Sequence, residues 1–270
     1  MQSMSKSPSL GHARLAAAVM LATTLAAEAA PLTVVNPGFE DLSGEVVFNE
    51  FTFGPLNGWS LYDPANITGG GAGNTFFIGT LPPFEIDPIN APGVYTNIPN
   101  GAPQGQRVGL AFNFANSGGM GEYGFQQTLS ATLAANTRYT LEVDVINIAS
   151  GTSSSGDFFD LSGFPGYRVD LLAGGVVIAQ DLNSLAGALV DGEVGTSTLV
   201  LTTDGKPIAA GQNLAIRLVN LNVADLAGPG ADLEVDFDNV RLDALSVPVP
   251  PMLAAACAAL GLRRRRVATS

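Results

Sequence analysis

From Arg138 to Asn147 the side chains strictly alternate: Tyr139, Leu141, Val143 and Val145 on one parity, Thr140, Glu142, Asp144 and Ile146 on the other. A period of two is what a strand with one buried face requires, and no helix presents it. The pattern returns at Tyr167, Val169 and Leu171 against Arg168 and Asp170, and at Leu214, Ile216 and Leu218 against Arg217. Further strands are predicted at 46–53, 59–62, 75–78, 107–112, 123–129, 176–180 and 198–202, separated by turns rich in Gly, Asn and Asp. Ten or eleven short strands and no helix of ordinary length imply an all-β chain, folded as a jelly-roll β-sandwich of two antiparallel sheets.

The final strand carries a break in that rhythm. Leu233, Val235 and Phe237 share one parity, whereas Val240 and Leu242 take the other, so the inward set slips near Asp238 and Asn239. A β-bulge there absorbs the extra residue and re-aims the Asp238 side chain.

Both ends differ from this middle. Lys6, His12 and Arg14 precede a short apolar run from Leu15 to Leu25, and Ala27 and Ala29 flank Glu28 as small residues at a cleavage point. Residues 1–29 therefore read as a signal peptide, residues 31–246 as the β-domain and residues 247–270 as an anchor or sorting segment. Eighteen mostly apolar positions run from Leu245 to Leu262 before four arginines, just short of the roughly twenty that cross about 30 Å of hydrocarbon. The arginines stay cytoplasmic under the positive-inside rule, which places the domain on the far side of the inner membrane, with a membrane-anchored intermediate.

Between Pro31 and Ser246 stand six basic and twenty-three acidic residues, a net −17 that repels phosphate and argues against a nucleic-acid partner. The same charge suits Ca²⁺ or, more simply, solubility. The one histidine, His12, lies in the leader and the one cysteine, Cys257, in the tail, so histidine-based triads, Cys–His pairs and histidine zinc sites are excluded from the domain. Twenty-three carboxylates leave a glycosidase open, yet no spacing singles out a pair, and outward acids on strands read as solvated faces.

The tail, with Pro248 and Pro250, its apolar run and Arg263, Arg264, Arg265 and Arg266, resembles the PEP-CTERM sorting signals. Val249 between the prolines brings it closest to the Val-Pro-x-Pro variants. The resemblance implies an exosortase-like processing enzyme and an extracellular polysaccharide environment. Asn36 to Glu40, Trp59, Gln126 to Ser130, Thr137 to Asp144, Tyr167 to Ala173 and Phe237 to Leu242 resemble in turn the galactose-binding-like jelly rolls of carbohydrate-binding modules. That likeness implies a non-catalytic domain, not an enzyme, that binds glycan or packs as a structural, adhesive matrix protein. It also implies a structural Ca²⁺ where first and last strands meet, with Glu40 and Asp238 as metal ligands; the alternative is two surface charges at a chain junction. The Gly- and Pro-rich stretch from Asn66 to Pro103 offers Phe84 and Tyr95 as ligand-binding candidates. Trp59 reads either as a sugar-stacking ring or as core.

Overall fold

The computed structural model describes residues 28–48, 51–54, 56–69, 76–83, 98–114, 121–153 and 156–248. Its strands, in chain order, are β1 (Ala30–Leu32), β2 (Val46–Phe48), β3 (Phe51–Phe53), β4 (Ser60–Tyr62), β5 (Phe76–Leu81), β6 (Val108–Asn113), β7 (Tyr123–Thr132), β8 (Thr137–Asn147), β9 (Gly151–Thr152), β10 (Phe158–Phe159), β11 (Tyr167–Ala173), β12 (Val176–Leu182), β13 (Glu193–Thr202), β14 (Asn213–Asn220) and β15 (Leu233–Ser246). An eight-stranded sheet runs β13-β8-β15-β6-β5-β3-β2, with β1 added beside β15, and a five-stranded sheet runs β12-β11-β14-β7-β4. All pairings are antiparallel, and β9 and β10 form a two-stranded sheet of their own. The all-β, two-sheet architecture agrees with the alternation in the sequence. The expected strand over 46–53 is divided into the antiparallel pair β2 and β3.

One apolar core lies between the sheets. Leu141, Val143 and Val145 of β8, Val235 and Phe237 of β15, and Val169 and Leu171 of β11 all belong to it, as the parity of each strand requires. Trp59 belongs to it too, 2% exposed and stacked on Phe39 at 5.4 Å between centroids, with its indole N–H donated to the Asn36 carbonyl at 3.0 Å. A sugar has no access to that ring. Phe39 fills the space over Gly109, where any side chain would collide with the ring.

The bulge in β15 is present. Its register against β8 shifts between Asp238 and Arg241, Asn239 adopts a left-handed φ of 51°, and Val240 and Leu242 return to the core on the new parity.

Polar keystones cross the interior as well. Asn220, at the end of β14 and fully buried, donates its amide to the carbonyls of Ala111 (2.8 Å) in β6 and Leu233 (3.1 Å) in β15, and its own oxygen accepts the Asn222 N–H. It thereby joins the two sheets where β15 begins. On the outer face of the five-stranded sheet, Asp170 is sealed beneath Arg168, Arg217 and Gln180, and the Arg217 guanidinium lies 3.9 Å above the Tyr62 ring. Every polar head there is matched, which makes it a buttress.

Replacing Asn220 with Ala leaves two buried carbonyls without this donor, a loss of about 2–3 kcal/mol. The thermal midpoint is expected to fall by about 5–10 °C. Thr198→Ala, on an exposed position of β13, should leave it within about 2 °C.

Candidate active site

The face of β15 opposite the core carries Glu234, Asp236 and Asp238, and none of them reaches bulk solvent: their exposures are 7%, 0% and 0%. Their burial follows from the place of β15 inside the eight-stranded sheet. Directly across from Asp236 stand Leu110 of β6 and Ile146 of β8, and across from Glu234 stands Phe112. These neighbours belong to a second apolar cluster, with Leu81, Ile98, Val108, Ile148 and Leu161, against which Phe51, Ala102 and Phe159 pack. The outer face of the larger sheet is therefore a second core with carboxyls set into it.

Both oxygens of Asp236 and Oε1 of Glu234 are buried with no hydrogen-bond partner. Burial drives both carboxyls upward, Asp236 furthest, and for Asp236 the neighbouring Glu234 adds to the rise. The Tyr123 phenol is pushed up by burial and then by the charge of Glu234. An ionised, unpaired carboxylate in such surroundings is costly, so Asp236 holds its proton at neutral pH. A carboxylic acid kept neutral in an apolar site is a proton donor waiting for an acceptor.

Aromatic rings border the pair. Phe159 of β10 meets Phe112 edge-on at 5.8 Å, Phe51 at 6.0 Å and Phe114 at 6.4 Å, and Phe51 stacks on Phe53 at 6.3 Å. Ring faces stabilise cations without offering them a nucleophile. Acid, apolar cover and aromatic walls together suit a reaction that is started by a proton and passes through a carbocation.

Glu40 and Asp238, the expected metal ligands, both accept backbone N–H groups from residues 104–107. Glu40 Oε1 accepts the N–H groups of Gln106 (2.7 Å) and Arg107 (2.8 Å), while Asp238 accepts those of Gln104 (2.6 Å) and Asn239 (2.7 Å). Both carboxylates thus hold the segment that leads into β6. Burial, then the charges of Asp144 and Glu40, raise Asp238 to about 7. Carboxylate oxygens suit a hard cation, but no group of three or more His, Cys, Asp or Glu among the described residues is gathered as metal ligands. Phe84, Tyr95, Pro250 and Arg263 to Arg266 lie outside the described residues, and Pro248 is exposed just past the end of β15.

Glu234 and Asp236 escaped the sequence analysis because outward acids on a strand read as solvated. Their cover comes from distant segments, Ile98, Leu161 and Phe159 among them, which no local pattern announces.

The chain matches the HpiC1-like family, described as HpiC1 cyclase, over residues 30–243. Among solved structures it is similar to a Stig cyclase, Fisc, from Fischerella sp. TAU in complex with (3Z)-3-(1-methyl-2-pyrrolidinylidene)-3H-indole, with 32% identity and a TM-score of 0.64 over 82% of this chain and 100% of that one. A cyclase from Fischerella sp. TAU in complex with 4-(1H-indol-3-yl)butan-2-one gives 31% identity and a TM-score of 0.64 over the same shares. The CBM22-1 xylan-binding domain from Paenibacillus barcinonensis, at 12% identity, TM-score 0.37 and shares of 73% and 90%, is too distant to bear on function. A comparison with curated proteins finds no match.

These findings overturn the non-catalytic reading. A match over residues 30–243 to a family of cyclases, and likeness to cyclases holding indole compounds, replace the glycan-binding or adhesive matrix protein and the glycoside hydrolase with an enzyme family of another kind. They likewise overturn exosortase and polysaccharide as partners; the similar cyclases hold small indole compounds instead. The physical reason is the buried acid pair, which a lectin surface does not need. Nor do they support the PEP-CTERM and biofilm assignment; no helix among the described residues is long and apolar enough to cross a membrane.

The raised carboxyls set the sign of the pH dependence. Between the unfolded carboxyl range near pH 4 and about pH 7, the native state keeps protons that the unfolded chain has released on Asp238, on Asp236 and on Glu45, which precedes β2, accepts the Thr80 hydroxyl at 3.3 Å and is raised by burial to about 7. Stability therefore falls as pH rises through that window. Thermal midpoints in EDTA should decline from pH 5 to pH 7, and Asp236→Asn should flatten the decline and raise the midpoint at pH 8; a steeper decline in that variant contradicts the assignment.

Proposed function

Because this chain belongs to the HpiC1-like cyclase family, we propose that it is an acid-initiated cyclase of an indole-bearing small molecule with an unsaturated side chain, in which Asp236 is the proton donor. The carrying observation is the Asp236 carboxyl itself, fully buried in apolar surroundings with neither oxygen hydrogen-bonded. Apart from the neighbouring Glu234 carboxyl, no group among the described residues is recorded as an acceptor for its proton, so an alkene carbon placed against it receives the proton in the step that starts cyclisation. Phe112 and Phe159 flank the resulting cation, and the apolar cover formed with Ile98 and Leu161 keeps out the water that would trap it. The indole compounds held by the two Fischerella cyclases support the substrate class.

The probe is an indole whose 3-linked side chain carries two alkenes, so that each bond-forming step is visible in the product. Asp236→Asn should lower its cyclisation by at least about 100-fold while the thermal midpoint holds or rises. Unchanged turnover in that variant rejects the reading.

We also propose a structural Ca²⁺ between Glu40 and Asp238, supported by the crowding of those carboxylates with Asp144. EDTA should then lower the thermal midpoint at pH 7.5, and Glu40→Ala should abolish the response to added Ca²⁺. A midpoint indifferent to both chelator and Ca²⁺ removes the ion from the account.

A further inference from the structure

The larger sheet ends in a long free edge. β13 runs for ten residues, paired with β8 on one side and, among the described residues, with nothing on the other. At its end the Thr203 N–H is directed at β8 and donates to the Thr137 carbonyl at 2.9 Å. Bonding direction alternates along an antiparallel edge, so the N–H and C=O groups of Val194, Thr196, Thr198, Val200 and Thr202 point away from β8 and out of the sheet. All of these residues are exposed, Val200 by 51% and Val194 by 38%. We propose that this edge pairs with the same edge of a second copy of the chain, antiparallel and about a twofold axis at Thr198, which joins two eight-stranded sheets into one.

Folded chains blunt their exposed edges by keeping them short, by bulging them or by placing charge or proline on them. β2 and β4 have three residues each, and β12 carries Asp181 and meets β11 through a register shift. β13 has none of these protections. It contains no proline and no basic residue, no acid stands between Glu193 and Asp204, and its register against β8 is unbroken from Glu193 to Thr202. Charge selects the same place. A domain with six basic and twenty-three acidic residues repels its own copy, so two copies meet where neither brings an acid. Thr196 turns its hydroxyl onto Asp144 at 2.7 Å, which ties that carboxylate to its own sheet. Symmetry names the occupant: a twofold uses one edge from each copy and stops at two, whereas pairing with any other edge leaves β13 free to recruit again.

The axis sets the register. Thr198 faces Thr198 of the second copy, Val200 faces Thr196 and Thr202 faces Val194, and such Thr–Thr and Val–Thr pairs suit adjacent strands. Each outward N–H meets an outward C=O, giving about ten hydrogen bonds between the copies. Glu193 falls at the end of the ladder, opposite Thr203 of the second copy, so no acid faces an acid. One strand pair buries less than the roughly 1,200 Å² of a standard interface, and the dissociation constant is therefore expected on the order of 10 μM. β8 separates β13 from β15, and the pairing stands or falls independently of the cyclisation chemistry.

Sedimentation velocity on the full chain, carrying Cys257→Ser to remove its one thiol, should show monomer at about 1 μM and dimer at about 200 μM. Thr198→Pro removes an N–H that the β8 ladder does not use. It should keep the thermal midpoint at about 1 μM within about 3 °C and weaken the dimer at least about 30-fold. Thr198→Asp sets two carboxylates face to face across the axis and should weaken it to a similar degree, whereas the same charge on β12, in Val177→Asp, should leave it unchanged. Under oxidation Thr198→Cys should cross-link to its copy, because the two Cα atoms lie about 5.5 Å apart, within disulfide reach. Val194→Cys lies about 27 Å from its copy in this register and should not. A chain that is still monomeric at about 200 μM overturns the proposal. So does a dimer that survives both Thr198→Pro and Thr198→Asp, or one that cross-links through Val194→Cys as readily as through Thr198→Cys. If Thr198→Pro does not fold, Thr198→Asp and the two cross-links decide.

Discussion

The antiparallel pairing of β15 with β8 on one side and β6 on the other is the constraint from which the rest follows. A strand held on both edges has two faces with no route to water except outward through whatever covers them. In β15 one face carries Val235 and Phe237 into the core, so the three intervening carboxyls are fixed on the other face by covalent geometry alone. Once Ile98, Leu161 and Phe159 close over that face, acids that began as ordinary surface residues become buried ones. Their altered protonation is a result of topology, not of any unusual residue.

That sequence of causes also explains the layered character of the larger sheet. A sandwich needs only one buried face per sheet, and the five-stranded sheet keeps to that economy, with Arg168, Asp170, Arg217 and Gln180 paired on its outer side. The eight-stranded sheet instead buries both sides along β6, β8 and β15. The bulge near Asn239 marks the point where this double burial ends: beyond it Arg241 and Glu142 pair while half exposed. Asp238 sits at the boundary, and its bonds to the backbone of Gln104 and Asn239 fix where the covering segment enters.

Much of the scaffold was legible because period two is a one-dimensional signal. Tyr139, Leu141, Val143 and Val145 name the inner face of β8 without reference to any other part of the chain, and the parity slip between Phe237 and Val240 located the bulge. The acid site was not legible. Glu234 and Asp236 share the alternation of every solvated strand face in the sequence, and their difference lies in tertiary cover from residues as remote as Ile98. Function was misread for the same reason: a strand pattern does not record which face is covered.

The short hairpin of β9 and β10 brings Phe159 to the aromatic wall while sharing no ladder with either sheet. Its ladder is separate from theirs, so Phe159 is carried by a segment whose length and composition the two sheets do not fix. Drift in that segment can reshape the aromatic wall while leaving intact the strands that hold Glu234 and Asp236.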